Sequence, residues 1–278
     1  MLLAFNINAK PHESEQHISE KYEFSHDSSD NILYVHNVNG FVEIEGYDGT
    51  EVQVELDKTI TASSTSDLQL GLDETSFEVV EHENQIHLYL KTPHTDLKFD
   101  KGNVSYHMNH QHNKYNFNMN YKIKVPKYTN LNISTVNSGH ININNIQTNT
   151  IKANNINGEI SLTKVSGVMQ LRTVNGDVAL SYLNQDIQPS TFESVNGTFD
   201  ITLVNQANLD ISYETLNGSF YTNLDTTDVS TVVKKEIHKK RHGIKYKFKP
   251  SKKIKIGTGD VKFSFKTING DINITKKA

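Results

Sequence analysis

Three groups of residues in this chain have the chemistry to bind or react. The first is basic. From Lys234 to Lys255 there are eleven Lys or Arg and a single acid, Glu236, a net charge of about +10 in 22 residues. The whole chain carries −4, so about −14 lies elsewhere. Lys239, Lys240, Arg241, Lys245 and Lys247 stand near the middle of this segment and are the candidate residues for a polyanion. An anionic glycan, lipid head groups or a nucleic acid would all fit such a patch. A strand pair whose lysines guard an exposed edge accounts for the same residues without a ligand. The second group is "HMNHQH" (107–112). His110 and His112 share one strand face and His107 takes the other, so two imidazoles could begin a metal site. No upstream acid stands ready to complete it, and a polar strand or loop is the simpler reading. The third group is a set of outward acids, Glu159, Asp177, Glu193, Asp200, Glu214 and Asp271.

Those acids are the only material for an enzyme. A polysaccharide-cleaving β-helix clusters its carboxylates for acid–base or metal work. Here they fall in different copies of a repeat, and the equivalent place in other copies holds Thr198 or Ser219. Solvated surface that keeps strands apart explains them. No G-x-S-x-G, H-E-x-x-H or P-loop occurs; "GTGD" (257–260) lacks the lysine and following helix of a phosphate loop and reads as a turn. The chain has no Cys, which removes disulfides, thiolate-bound zinc and a thiol nucleophile together. No cofactor is expected.

The elements that must carry these groups are strands. Apolar residues make up only 35% of the 278, which favours a thin, elongated fold over a thick core. One eight-residue pattern recurs: "NVNGFVEI" (37–44), "NINGEISL" (155–162), "TVNGDVAL" (173–180), "SVNGTFDI" (194–201), "TLNGSFYT" (215–222) and "TINGDINI" (267–274). Asn-Gly between apolar residues is the usual mark of a two-residue hairpin. That pairing would mix apolar and polar residues on each face. A continuous bent strand instead keeps Val174, Gly176, Val178 and Leu180 in phase, and every copy repeats this. The alternation before a copy slips by one residue at Val38, Val195, Leu216 and Ile268, so each unit reads as strand, corner, strand. Gly40, Gly158, Gly176, Gly197, Gly218 and Gly270 are the structural turn residues, with Asn and Gly supplying conformational freedom at the corner. Val174, Val178, Leu180, Val195, Phe199, Leu216, Phe220, Ile268 and Ile272 are expected inside.

The spacing supplies the architecture. Gly139, Gly158, Gly176, Gly197 and Gly218 are 19, 18, 21 and 21 residues apart, and "KVSGVMQL" (164–171) is a weaker copy half a period after Gly158. A period near 20 signals a solenoid. The expected fold is all-β: a β-helix-like solenoid of stacked two-strand rungs with protruding hairpins. Stacking in sequence order would set Phe192 on Tyr213, Val195 on Leu216 and Phe199 on Phe220. Residues 1–29 read as a leader, 30–129 as an N-terminal β region with the first rung and inserted strands, and 130–278 as the repeat solenoid; 30–278 also fits one continuous domain. "SDLQLGL" (66–72) forms one short helix capped by Ser66. A long basic hairpin at 229–256 turns near His242-Gly243. "MLLAFNINA" (1–9) resembles the end of a secretory signal peptide with Ala9 before the cut, which places the protein outside the cytoplasm: periplasmic, secreted or at the cell surface. Export argues against a nucleic-acid partner. No apolar run is long enough to span a membrane as a helix.

These residues resemble a family. "LYVHNVNGFVEIEGYDGTEVQVE" (33–55) is similar to the first turn of the bacterial "putative adhesin" domains of unknown function, and "TVNGDV" and "TINGDI" are similar to their later turns. The resemblance spans about 30–276. It implies a β-solenoid built on S-V-N-G-D-V repeats and a non-enzymatic, adhesin-like or envelope-associated binding role; the basic segment adds an anionic glycan or the envelope surface as the expected partner. A carbohydrate-active β-helix enzyme and a purely structural envelope module are the alternatives.

Overall fold

The computed structural model describes residues 12–100, 103–108, 114–137, 139–240 and 243–277. Expectations that rest on residues 1–9, on Arg241 and on His110 and His112 lie outside them. The described chain is all-β, with one α-helix, Thr65–Glu74. Twenty of its strands join one curled sheet.

Most of that sheet is two parallel ladders that face each other across the core. The first ladder runs in the order Gln85–Lys91, Ile32–His36, Asn130–Thr135, Gln147–Asn157, the second half of Ile160–Asn175, Ser190–Glu193, Val261–Lys266 and Leu209–Glu214. The second runs Tyr115–Pro126, Val42–Tyr47, Ile141–Asn144, the first half of Ile160–Asn175, Val178–Ile187, Phe199–Leu203, Ile272–Lys276 and Phe220–Thr222. Alternate residues point inward, so Leu171, Phe192 and Phe265 from the first ladder meet Leu180, Phe199 and Ile274 from the second, all fully buried. Burying each such side chain stabilises by roughly 1.5–3 kcal/mol.

Asn-Gly stands at the corner where the chain passes from the first ladder to the second, between parallel strands rather than in a hairpin. The asparagine side chains form a column: Asn137 donates to Asn39, Asn175 to Asn157, Asn196 to Asn175, Asn269 to Asn196 and Asn217 to Asn269, at 2.6–3.1 Å. Such amide ladders need the same residue in register in every strand. Glycine is required for space. A Cβ on Gly176 would come within 2.1 Å of the Gly158 carbonyl oxygen, and the same close approach recurs at every Asn-Gly corner but the first. Of these glycines only Gly40 and Gly270 have positive φ, so conformational freedom is the lesser reason.

The phase slip falls later than the alternation implied. Thr173, Ser194 and Thr267 continue the inward face of the first strand and are buried, as is Asn155. The aliphatic residue before each Asn-Gly then sits on the corner. Val174 and Val195 are half-buried, while Ile268 is 45% and Leu216 is 77% exposed. The four-residue corner absorbs the slip, which returns Val178, Phe199 and Ile272 to the interior. Lys164, with φ of 55°, marks the opposite corner, which is why "KVSG" repeats half a period away.

The order of units differs from the order of sequence. Phe192 pairs with Phe265, and Phe265 with Tyr213; Phe199 pairs with Ile272, and Ile272 with Phe220. The C-terminal unit is therefore inserted between those of Gly197 and Gly218. Charge favours this order over sequence order. Along the outer row, Arg172, Glu193, Lys266 and Glu214 alternate in sign. Without Lys266 between them, Glu193 and Glu214 would be direct neighbours, and like charges directly opposite destabilise. On the inner side the Phe192 and Phe265 rings stack 4.5 Å apart. The turn "GTGD" carries the chain into this slot, with Gly257 and Gly259 at φ of 57° and 75° and the Thr258 N–H donating to Asn208 Oδ1.

The two ends of the sheet are unlike. At one, Glu51–Ala62 and His12–Glu23 continue the second ladder antiparallel, and the helix packs Leu68 and Leu72 on the core. Its N-cap is Ser64, whose hydroxyl accepts from the Asp67 N–H, two residues before the expected Ser66. Its last turn is met by buried Lys58, whose Nζ donates to the Thr75 carbonyl at 2.6 Å. A cation there suits the negative pole of the helix. At the other end the first ladder gains two antiparallel strands, Gly243–Ile256 and then Thr226–Lys240, while the second stops at Phe220–Thr222.

Candidate functional site

Four of the outward acids are engaged across neighbouring units. Asp177 Oδ1 accepts the Thr198 N–H and Asp271 Oδ1 the Ser219 N–H, both at 2.8 Å. Asp200 accepts from Asn273 at 2.7 Å, and Glu193 lies 3.8 Å from Arg172. These carboxylates fasten one unit to the next, at separate places along the sheet, and do not converge on a cleft. Among the described residues no cluster of three His, Asp or Glu side chains could hold a metal.

Sequence reasoning missed one group, a buried aromatic and imidazole stack. The Tyr34 ring lies 4.2 Å from that of His87, and His36 Nε2 lies 3.5 Å from His87 Nδ1. His87 Nε2 is 3.0 Å from Gln85 Oε1. The two histidines are diagonal neighbours in adjacent strands, His87 opposite Tyr34 and His36 opposite Tyr89, with the apolar alternation on the other face, so no local spacing links positions 36 and 87. Burial pushes His36 down to about 4; burial, and then the charges of His36 and His82, do the same to His87. The unfolded chain binds these protons near the ordinary value, and the folded one not until about 4. Stability is therefore complete above about pH 6.5 and is lost as pH falls towards 4, by about 1.4 kcal/mol per pH unit per histidine within that window. Urea midpoints should be lower at pH 5 than at pH 7.5, and His36→Phe should flatten the difference. Equal midpoints would show that the pair does not titrate on unfolding.

An open groove of about 910 Å³ lies outside the second ladder near its covered end, lined by Glu43, Glu45, Glu55, Lys122, Lys124 and Lys164 among others. Its charges mix signs, so it draws no ion of one sign strongly.

The basic hairpin is the uneven feature. Only Lys252–Ile256 of its second arm pair with the first ladder, against Leu209–Tyr213. The rest extends past the Asn-Gly corners as a two-stranded ribbon, Lys234 opposite Lys249, Glu236 opposite Lys247, His238 opposite Lys245 and Lys240 opposite Gly243. This register brings the basic positions Lys234, Lys240, Lys245, Lys247 and Lys249 together along one short two-stranded segment, with Lys239 opposite Ile244.

Fold and site together define an all-β repeat protein with a curled sheet and a basic projection. The chain belongs to the Toastrack DUF4097 family, whose model matches residues 24–275. The solved structures similar to it include the following three. They are a putative cell adhesion protein from Clostridium sporogenes (15% identity, covering 96% of this chain and 100% of that one, TM-score 0.38), a putative adhesin from Bacteroides fragilis (15%, 94% and 98%, TM-score 0.39), and a putative lipid binding protein from Parabacteroides distasonis (13%, 94% and 97%, TM-score 0.28). No curated protein matches the chain.

Proposed function

We propose that this chain is a non-enzymatic, exported binding module, a β-solenoid of stacked two-strand rungs that holds a basic hairpin against an anionic surface of the cell envelope. The observation that carries this is the separation of charge. About +10 is concentrated in residues 234–255 of a chain whose total is −4, on a ribbon that mostly lies beyond the ladders. A body of about −14 turns away from the anionic surface that its projection approaches, which orients the molecule. The carbohydrate-active alternative has less support, since Asp177, Asp271 and Asp200, among the acids it would use, bind backbone and amide groups of adjacent units.

Replacing Lys239, Lys240, Lys245 and Lys247 with Ser should abolish retention on heparin and leave the thermal unfolding midpoint unchanged. Retention of the unaltered chain should fall steeply with salt, since exposed charges are screened within about 8–10 Å. A purely structural module, with lysines that only guard the edge, gives the reverse: no retention of the unaltered chain and increased self-association of the variant. Undiminished retention of the variant would remove the patch as a site.

A further inference from the structure

We infer that the uncovered end of the sheet and the hairpin that overhangs it form one docking surface for an anionic lipid bilayer. The inference rests on the polyanion reading of the hairpin and names which anionic surface it meets. At this end Phe220–Thr222 has a partner strand on one edge only among the described residues. Leu216 is 77%, Val229 66% and Tyr221 55% exposed, and all three lie in the outermost strands and corner of that end. Phe220, stacked on Tyr213 at 5.3 Å, is only half-buried. The hairpin register continues the apolar character. Val229 pairs with Ile254, which pairs in turn with the core-facing Ile211, so the exposed Val229 extends the apolar row of the first ladder.

Exposed apolar side chains beside a segment of about +10 are the pattern of elements that lie in a membrane interface, where apolar side chains enter the acyl boundary and lysines meet phosphates. A soluble glycan would use the charge and leave the apolar end uncovered. A second copy would bring two hairpins of about +10 together, so self-pairing is opposed by like charge.

The test is co-flotation with vesicles of equimolar phosphatidylglycerol and phosphatidylcholine, beside heparin chromatography. The unaltered chain should bind these vesicles, retain part of that binding at about 0.5 M NaCl, where heparin no longer holds it, and ignore pure phosphatidylcholine. A variant carrying Leu216→Ser, Tyr221→Ser and Val229→Ser should lose about ten-fold or more in vesicle affinity, with heparin retention and melting unchanged. Vesicle binding by this variant equal to that of the unaltered chain would overturn the inference. So would retention on heparin without vesicle binding, which leaves the polyanion reading intact; failure on both overturns the two together. A concentration-dependent dimer that the triple variant abolishes would assign the end to a second copy instead.

Discussion

A chain ending at Asp260 does not fold. In a linear repeat array, loss of the last unit trims one end and leaves the others nearly as they were. Here the last unit is internal. Val261–Lys266 and Ile272–Lys276 each have a parallel neighbour on both sides, and Phe263, Phe265, Ile272 and Ile274 are buried. Deleting them opens the core between the Gly197 and Gly218 units and sets Glu193 to face Glu214. Truncating even one buried Phe to Ala costs roughly 3–5 kcal/mol, a large part of the 5–15 kcal/mol that holds a domain together. Circular dichroism should show the strand signal lost and the cooperative thermal transition gone. The contrasting chain, with residues 231–252 replaced by Asn-Gly so that Ser230 and Lys253 still pair, should melt near the unaltered value. Equal melting of the truncated and full chains would refute the inserted order.

Gly176→Ala should destabilise by about 3 kcal/mol or more, although Ala normally outranks Gly in ordered structure. The added methyl would stand 2.1 Å from the Gly158 carbonyl oxygen. That carbonyl cannot move aside, because the peptide groups around it are bonded to the units on either side: the Gly158 N–H donates to the Asn175 carbonyl, and the Glu159 carbonyl accepts from the Ile141 N–H. A spread of the corner would also lengthen the Asn175 to Asn157 bond of 2.9 Å. Chemical denaturation measures the loss directly. A change within about 0.5 kcal/mol, the ordinary range for surface positions, would show that the corner has room and that its glycines answer some other need.

Much of this was written in the residues. Strict alternation around Leu171, Phe192, Leu209 and Phe263 makes strands, because side chains of an extended chain alternate between two faces. Recurrence of Asn-Gly at a near-constant spacing puts equivalent corners in line, because an amide ladder and a glycine too close to its neighbour both demand the same residue at the same height. The all-β class and the membership of residues 24–275 in one family follow from that pattern. The concentration of charge between Lys234 and Lys255 is a property of composition and needs no coordinates.

Other features exist only in three dimensions. Local periodicity says which residue faces inward but not which unit lies beside which, so Phe192 against Tyr213 and Phe192 against Phe265 were equally good in the sequence. The tertiary arrangement chose Phe265, because it also places Lys266 between two glutamates. The exposure of Leu216 and Ile268 was hidden for a related reason: an aliphatic residue in phase with a buried Val178 or Ile272 looks buried, and only the four-residue corner shows that the phase is reset after it. The pairing of His36 with His87, 51 positions apart, and the uncovered edge at Phe220–Thr222 are likewise consequences of which strands become neighbours. Alternation is a property of one strand, whereas neighbours are chosen by the whole core.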